Sequence, residues 1–260
     1  MSYRTILVDL DDTLVIEEKS AHHAFLCSAN YLKQLHDINN EEFVTSVRSA
    51  ARELWYSLPT INYAKEIGLS SWEALWADFS SGDDNQKELN KHKDFYQHNT
   101  WYNALLKYNI KNKELASVLS SIYINERKDR HIPFDDTNTF LNRLTDLHLK
   151  IVLVTNGTPD LQWQKIKKSG IEKYFYKIII SGEYGYKKPT KEIFLYCVNI
   201  ANGTINNSIM IGNNLETDVK GANETGITSV WLNREFKENN TGIYPTYEFN
   251  NLYDVIKIIE

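Results

Sequence analysis

Residues 9–13 read DLDDT and directly follow the apolar run TILV at residues 5–8. The apolar run has the character of a buried strand, and ligands of α/β proteins bind where such strands end. A carboxylate at that edge can attack an electrophile, and a second one two positions on can transfer a proton. The pair Asp9 and Asp11 would also attract a hard cation. Taken alone, the five residues favour a reactive site but are also compatible with an acidic loop in which one Asp caps a helix.

Three further segments supply the other groups that phosphoryl transfer needs, namely IVLVTNG at 151–157, GYKKP at 185–189 and IMIGNNLETD at 209–218. The first ends in Thr155, whose hydroxyl suits phosphate oxygens together with nearby backbone N–H groups. The second holds Lys188 beside a proline, where its ammonium group can neutralise a carboxylate and a phosphate. The third is an apolar strand that ends in oxygen ligands of the kind Mg²⁺ prefers. In isolation, residues 151–157 would be an ordinary strand and turn, and residues 185–189 a solvated basic turn. Residues 209–218 would be a strand followed by a helix start with acidic capping.

In this order and spacing, the four segments resemble the haloacid dehalogenase-like (HAD) hydrolase superfamily. The stretch DxDxT at residues 9–13 resembles that family's first motif, Thr155 the second, Lys188 the third and residues 212–218 the fourth. The resemblance implies a Mg²⁺-dependent phosphatase that hydrolyses a small-molecule phosphate ester through an aspartyl-phosphate intermediate.

The resemblance also implies a role for each motif residue. Asp9 is the expected nucleophile, and Asp11 is expected to protonate the leaving alkoxide and then to deprotonate water. The expected catalytic residues are Asp9, Asp11, Thr155 and Lys188. The residues expected to bind the phosphate are Thr155, Asn156, Gly157 and Lys188. The expected metal ligands are Asp9, Asp11 through its backbone carbonyl, Asn213 and Asp218.

One position departs from the family pattern. The fourth motif usually reads Gly-Asp followed by a second Asp, but Asn213 stands where the first Asp is expected. An amide oxygen can coordinate Mg²⁺ without contributing charge, so we expect a weakened metal site. Asn214 and Glu216 are nearby and are alternative ligands.

Two other functions are compatible with the same motifs. A metal-independent 2-haloacid dehalogenase would carry Asn in the fourth motif, but such enzymes lack an acid/base residue at the position of Asp11. A carbon–halogen bond has no alkoxide to protonate, so Asp11 favours phosphoryl transfer. A non-catalytic binding protein on the HAD fold is supported only by Asn213. Nothing distinguishes a phosphatase from a phosphomutase or identifies the substrate.

The pattern along the chain predicts a core domain with one large insert. Helical spacing dominates residues 17–132, where Ser70 and Glu73 form a predicted capping box and the polar stretch 80–93 is a predicted loop. Strands alternate with helices from Pro133 on, which indicates a doubly wound parallel sheet. The predicted domains are the α/β core, 1–16 with 133–260, and an all-helical cap, 17–132. The insert resembles the first-type cap of HAD proteins, which implies a lid that closes over the site.

Composition restricts the partners and the compartment. The 29 basic and 34 acidic residues give a net charge of −5, so a general polyanion-binding surface is not expected and nucleic acid is not an expected partner. Only two cysteines occur, Cys27 and Cys197, which fits a reducing compartment and predicts a cytoplasmic protein. No apolar run approaches transmembrane length, so no membrane association is expected. The oligomeric state is unknown from the sequence.

Overall fold

The computed structural model describes residues 3–80 and 83–260, which form two compact units. The first unit comprises the residues up to Ile16, Ile132–Gly157 and Lys165–Glu260. The second comprises Glu17–His131 and Thr158–Gln164. The segment Thr158–Gln164, which lies outside the predicted insert at 17–132, groups with the helical unit.

The first unit is built on a six-stranded parallel sheet with the order β3-β2-β1-β4-β5-β6. Its strands are Thr5–Val8 (β1), Lys150–Thr155 (β2), Lys177–Ile180 (β3), Ser208–Gly212 (β4), Thr228–Leu232 (β5) and Tyr247–Phe249 (β6). β1 is central, and Leu7 pairs with Val152 on one side and with Met210 on the other. Strand residues Ile6, Leu7 and Val8 are fully buried. The predicted doubly wound parallel sheet is confirmed.

Helices connect the strands and build the second unit. Numbered along the chain, they are α1 (Glu18–Lys33), α2 (Asn40–Ser57), α3 (Ile61–Ile67), α4 (Ser71–Ala74), α5 (Asp84–Leu106), α6 (Lys113–Asp129), α7 (Thr137–Asp146), α8 (Pro159–Lys168), α9 (Ser181–Tyr184), α10 (Lys191–Ile200), α11 (Lys220–Thr225) and α12 (Leu252–Ile259). A π-helical turn, Leu215–Val219, follows β4. None of these helices is long and apolar enough to cross a membrane, within the residues that the structure describes.

The second unit packs its helices around an aromatic core. Phe25 and Tyr123 have ring centroids 4.4 Å apart, and Trp101 lies 5.8 Å from Tyr123. The first half of α8 belongs here because Asp160 Oδ2 accepts hydrogen bonds from the backbone N–H groups of Asp78 and Phe79, both at 2.9 Å. Burial of the aromatic rings accounts for the cohesion of this unit.

The predicted loop at residues 80–93 is wrong from residue 84 onward, where α5 begins. The side chain of Asp83 caps this helix by accepting a hydrogen bond from the backbone N–H of Gln86 at 3.0 Å. Gln86 and Leu89 are buried, so tertiary contacts stabilise a helix whose composition is mostly polar. Residues 81 and 82 lie outside the described residues. The predicted capping box of Ser70 and Glu73 is confirmed at the start of α4.

Candidate active site

The motif segments lie at the carboxyl ends of three neighbouring strands. Asp9 follows β1, Thr155 ends β2 and Gly212 ends β4. Because β1 lies between β2 and β4 and all three are parallel, these ends meet at one edge of the sheet. The chain order also reverses between β1 and β4, and open α/β sheets bind ligands at such a reversal.

Asp9 is buried, with 6 % of the residue exposed, and both of its carboxylate oxygens are engaged. Oδ1 accepts a hydrogen bond from Lys188 Nζ at 2.5 Å, and Oδ2 accepts one from Thr13 Oγ1 at 3.1 Å. Thr13 Oγ1 in turn accepts a hydrogen bond from the backbone N–H of Asn213 at 3.1 Å. Asp9 is therefore held in one orientation, and the loops after β1 and β4 are joined directly.

Lys188 is a buried ammonium group between two carboxylates. Its Nζ lies 2.5 Å from Asp9 Oδ1 and 2.7 Å from Asp218 Oδ1. The side chain of Asn156 holds the backbone of Lys188, since Asn156 Oδ1 accepts from the N–H at 2.9 Å and Nδ2 donates to the carbonyl at 3.1 Å. Asn156 thus places Lys188, and its contact with phosphate stays a prediction.

Asp218 packs directly over Gly212. A Cβ atom at position 212 would lie 2.2 Å from Asp218 Oδ2, so only glycine leaves room for this carboxylate. Asp218 Oδ2 accepts a hydrogen bond from the backbone N–H of Asn214 at 3.1 Å. Asp218 Oδ1 forms an ion pair with Lys188 Nζ at 2.7 Å. A buried carboxylate at this edge of the sheet is suited to bind a cation.

Asn213 and Asn214 differ in their surroundings. Asn213 is half-buried, and its backbone is fixed on both sides, by Thr13 and by the indole Nε1 of Trp231, which donates to its carbonyl at 2.9 Å. Asn214 is exposed, and its Oδ1 caps the next turn by accepting two backbone N–H groups at 2.8 and 3.1 Å. Capping therefore occupies the side-chain oxygen of Asn214, whereas metal ligation by Asn213 stays a prediction.

Thr155 and Gly157 form the end of β2 and the turn after it. Thr155 is buried. The backbone N–H of Gly157 donates to Ser181 Oγ at 3.0 Å, and its carbonyl accepts from the N–H of Gly182 at 3.0 Å. This N–H is used within the protein, and phosphate binding by Thr155 and Gly157 stays a prediction.

Asp11 pairs with a lysine that the sequence analysis missed. Lys165 Nζ donates to Asp11 Oδ1 at 3.0 Å, and the side chain of Lys165 is fully buried while that of Asp11 is 24 % exposed. Lys165 lies on α8, one helical turn after the buried Leu161. Helical spacing from Leu161 was the signal that could have placed this lysine on a buried face.

The site has more acidic than basic groups. Three carboxyl groups, those of Asp9, Asp11 and Asp218, face the two lysines Lys165 and Lys188. Burial raises the pKa of Asp9 to about 7; Lys188 opposes this shift, and the charges of Asp218 and Asp11 add to it. Burial also lowers the pKa of Lys188, but Asp218 and Asp9 outweigh burial and hold it above its ordinary value. Such a cluster attracts a cation and can transfer protons.

Comparison with known proteins identifies similar sequences and folds. Residues 3–226 match the family model described as haloacid dehalogenase-like hydrolase. The phosphoserine phosphatase of Thermus thermophilus is 28 % identical over 252 residues, which cover 97 % of each chain.

Solved structures share the fold across different reactions. The HAD-hydrolase YfnB of Bacillus subtilis, determined with bound magnesium, matches with a TM-score of 0.68 at 23 % identity over 100 % of both chains. A 2-haloacid dehalogenase of Pseudomonas syringae matches with a TM-score of 0.59 at 17 % identity, over 99 % of this chain and 98 % of that one. At these identities the likeness extends to the fold alone, and the reaction has to be argued from the site.

Proposed function

Because this chain belongs to the haloacid dehalogenase-like hydrolases, we propose that it hydrolyses a small-molecule phosphate monoester through an aspartyl-phosphate on Asp9. The observation that carries the proposal is the pair Asp9 and Asp11 after β1, each of which accepts a hydrogen bond from a lysine. A phosphate monoester needs a nucleophile for phosphorus and an acid for the departing alkoxide. Halide departs without a proton, so Asp11 would have no task in a dehalogenase.

The first step transfers the phosphoryl group to the protein. A carboxylate oxygen of Asp9 forms a bond to phosphorus while the bond from phosphorus to the ester oxygen breaks. Asp11 gives its proton to that oxygen, and the alcohol leaves. Lys188 reduces the repulsion between the Asp9 carboxylate and the phosphate, since its ammonium group lies 2.5 Å from Asp9 Oδ1.

The second step hydrolyses the aspartyl-phosphate. Asp11 now takes a proton from water, and the water oxygen forms a bond to phosphorus as the bond from phosphorus to Asp9 breaks. Inorganic phosphate leaves and Asp9 regains its carboxylate. Asp11 has thereby acted as an acid and then as a base, and ends in its original protonation state.

The residues present fit a Mg²⁺ ion. The side chains at this edge offer carboxylate and amide oxygens, the ligands that Mg²⁺ prefers, and three carboxyl groups face two lysines. The residues that would hold the ion are Asp9, Asp11 through its carbonyl, Asn213 and Asp218. When bound, Mg²⁺ supplies positive charge that offsets the repulsion between carboxylate and phosphate.

The phosphate oxygens would lie at the turn after β2. Thr155 offers its hydroxyl at the end of the strand, and residues 156–157 offer the turn that follows it. Lys188 is placed against this turn by Asn156, so one ammonium group serves both the nucleophile and the phosphate. The cytoplasmic location and the exclusion of nucleic acid stay predictions from composition.

A phosphate-release screen tests the proposed function. Small phosphate monoesters, with phosphoserine first because of the Thermus relative, and p-nitrophenyl phosphate are assayed in Mg²⁺ and in EDTA. We expect Mg²⁺-dependent release of phosphate and no halide from 2-chloropropionate. Halide release in EDTA would favour the dehalogenase, for which Asn213 is the supporting feature. Failure of every ester with wild-type protein, while Asn213→Asp is active, would favour a non-catalytic protein.

A further inference from the structure

Lys165 is a buried lysine with no direct part in the two proposed steps. Its side chain is fully buried, whereas Lys167 and Lys168 in the same turn of α8 are exposed, as lysines usually are. An ammonium group taken out of water costs several kcal/mol unless an anion pairs with it. The carboxylate of Asp11 is such an anion, since its Oδ1 lies 3.0 Å from Lys165 Nζ.

A buried ion pair of this kind is a weak source of stability, because desolvation of the charges offsets their attraction. The side chain of Asp11 is 24 % exposed, so water can solvate its carboxylate. An apolar side chain of similar length at position 165 would fill the same space without the desolvation penalty of an ammonium group. What the lysine adds towards the site is the hydrogen bond to Asp11.

We propose that Lys165 is a positioning residue for both proton transfers. By donating to Oδ1, Lys165 fixes the plane of the Asp11 carboxylate, and with it the direction in which the other oxygen meets the leaving group and the water. A general acid is effective only within hydrogen-bond reach of the atom that it protonates. The two lysines thus have separate tasks, since Lys188 serves Asp9 and Asp218 while Lys165 serves Asp11. This inference rests on the proposed phosphatase function.

The dependence of kcat/KM on the leaving group of the substrate distinguishes a positioning role of Lys165 from a purely structural role. Substituted phenyl phosphates of similar size, from p-nitrophenyl to p-methoxyphenyl phosphate, differ mainly in their need for a general acid. We expect Lys165→Met to lower kcat/KM for p-methoxyphenyl phosphate by about 10- to 100-fold, the scale of a misplaced reacting group. For p-nitrophenyl phosphate the expected loss is below about threefold, because p-nitrophenolate leaves without a proton. An equal loss across the series would overturn the inference.

A double-variant cycle tests whether Lys165 acts through Asp11. With phenyl phosphate, Lys165→Met should reduce kcat/KM of the wild type but change that of Asp11→Asn by less than about twofold, since the acid is already absent. If the loss of kcat/KM in the double variant equalled the product of the two single-variant losses, Lys165 would act independently of Asp11. That result would contradict the proposal.

Two matched variants complete the test. Lys165→Arg keeps a cation beside Asp11 and should retain the leaving-group dependence of the wild type. Lys167 is an exposed lysine of the same turn, and Lys167→Met should leave kcat/KM unchanged for every ester. Circular dichroism and thermal midpoints establish folding, and Lys165→Gln replaces Lys165→Met in every assay if the latter does not fold.

A wild type that releases no phosphate from any ester overturns the proposed function together with this inference. An active wild type with a uniform loss in the variant overturns this inference alone.

Discussion

Each of the two units buries a cluster of charged groups, and the two clusters are built differently. In the first unit, Lys188 lies between Asp9 and Asp218, and the carboxylates of the site outnumber its lysines. In the second unit, the fully buried Arg127 pairs with the buried Glu17, and its guanidinium lies over the Trp76 ring, 5.1 Å from the centroid. The first cluster has three carboxyl groups and two lysines, whereas the second contains a direct pair of one guanidinium and one carboxylate.

The comparison shows that burial of charge does not by itself mark a reactive site. The balanced pair of Arg127 and Glu17 joins the ends of α6 and α1 and is embedded among aromatic rings. The unbalanced cluster lies at a strand edge and holds one carboxylate, Asp9, whose pKa is raised to about 7. An excess of carboxyl groups over lysines at the end of a strand is therefore the better indicator of a reactive site. Substitutions in the cluster of the first unit should mainly change activity, whereas substitutions in the cluster of the second unit should change stability.

Asp9→Asn is expected to have the largest effect. The amide cannot form an acyl-phosphate, so kcat should fall by on the order of 10⁴-fold or more, as when other nucleophiles are removed. Steady-state phosphate release measures the loss, and circular dichroism serves as the folding control. Near wild-type turnover by the purified variant would mean that Asp9 is not the nucleophile.

Arg127→Met should act on stability instead. Glu17 would keep its buried position and lose the ion pair with Arg127, and loss of one partner of a buried pair typically destabilises a protein by about 3–5 kcal/mol. Urea unfolding measures the free energy of unfolding, and the matched double variant Glu17→Met with Arg127→Met should recover most of it. If the single variant lost less than about 1 kcal/mol, the pair would not be the balanced structural element described here.

Asp9→Asn should also make the metal-free protein more stable above neutral pH. The folded pKa of Asp9, about 7, exceeds the ordinary value of 3.8, so between these values the native state holds a proton that the unfolded chain has lost. Stability of the wild type therefore falls as pH rises from about 4 to 7. The gain of the variant should be absent near pH 4 and complete above pH 7, at most about 4 kcal/mol, since one pKa unit is about 1.4 kcal/mol. Thermal unfolding in EDTA across this pH range tests it, and a pH-independent difference would refute it.

Asn213→Asp should have the smallest effect. A carboxylate at this position adds a charged ligand, so the Mg²⁺ concentration for half-maximal rate should fall roughly three- to tenfold. Asn214→Asp is the matched control, because it adds the same charge one residue away while an Asp can still cap the next turn. If this Mg²⁺ concentration fell equally in both variants, the added charge would act through the electrostatic field of the loop, and residue 213 would not be a ligand.

The strands and the site edge were predictable because their signals are local. An apolar run followed by polar residues predicts both β1 and the position of Asp9, and parallel pairing then brings Thr155 and Gly212 to the same edge. The strand β6 was not predicted, since three residues, Tyr247–Phe249, are too few to show a period.

Other features depend on tertiary contacts that a single sequence does not display. The polar start of α5 is stabilised by its cap and by the burial of Gln86 and Leu89, which propensity alone opposes. Lys165 was missed because a lysine near the end of a helix usually faces water, and its pairing with Asp11 depends on a contact between residues far apart in the sequence. Asn156 was expected on phosphate, and its bonds to the backbone of Lys188 depend on how two distant turns meet.

Chemical trapping of the phosphorylated carboxylate tests the central claim most directly. During turnover of p-nitrophenyl phosphate with Mg²⁺, acid quenching followed by borohydride should reduce an aspartyl-phosphate to homoserine, which peptide mass spectrometry can locate. We predict homoserine at position 9, in greater amount in Asp11→Asn because the second step has lost its base, and none in Asp9→Asn. Turnover without any reduction product at position 9, or a product at another aspartate, would contradict the account.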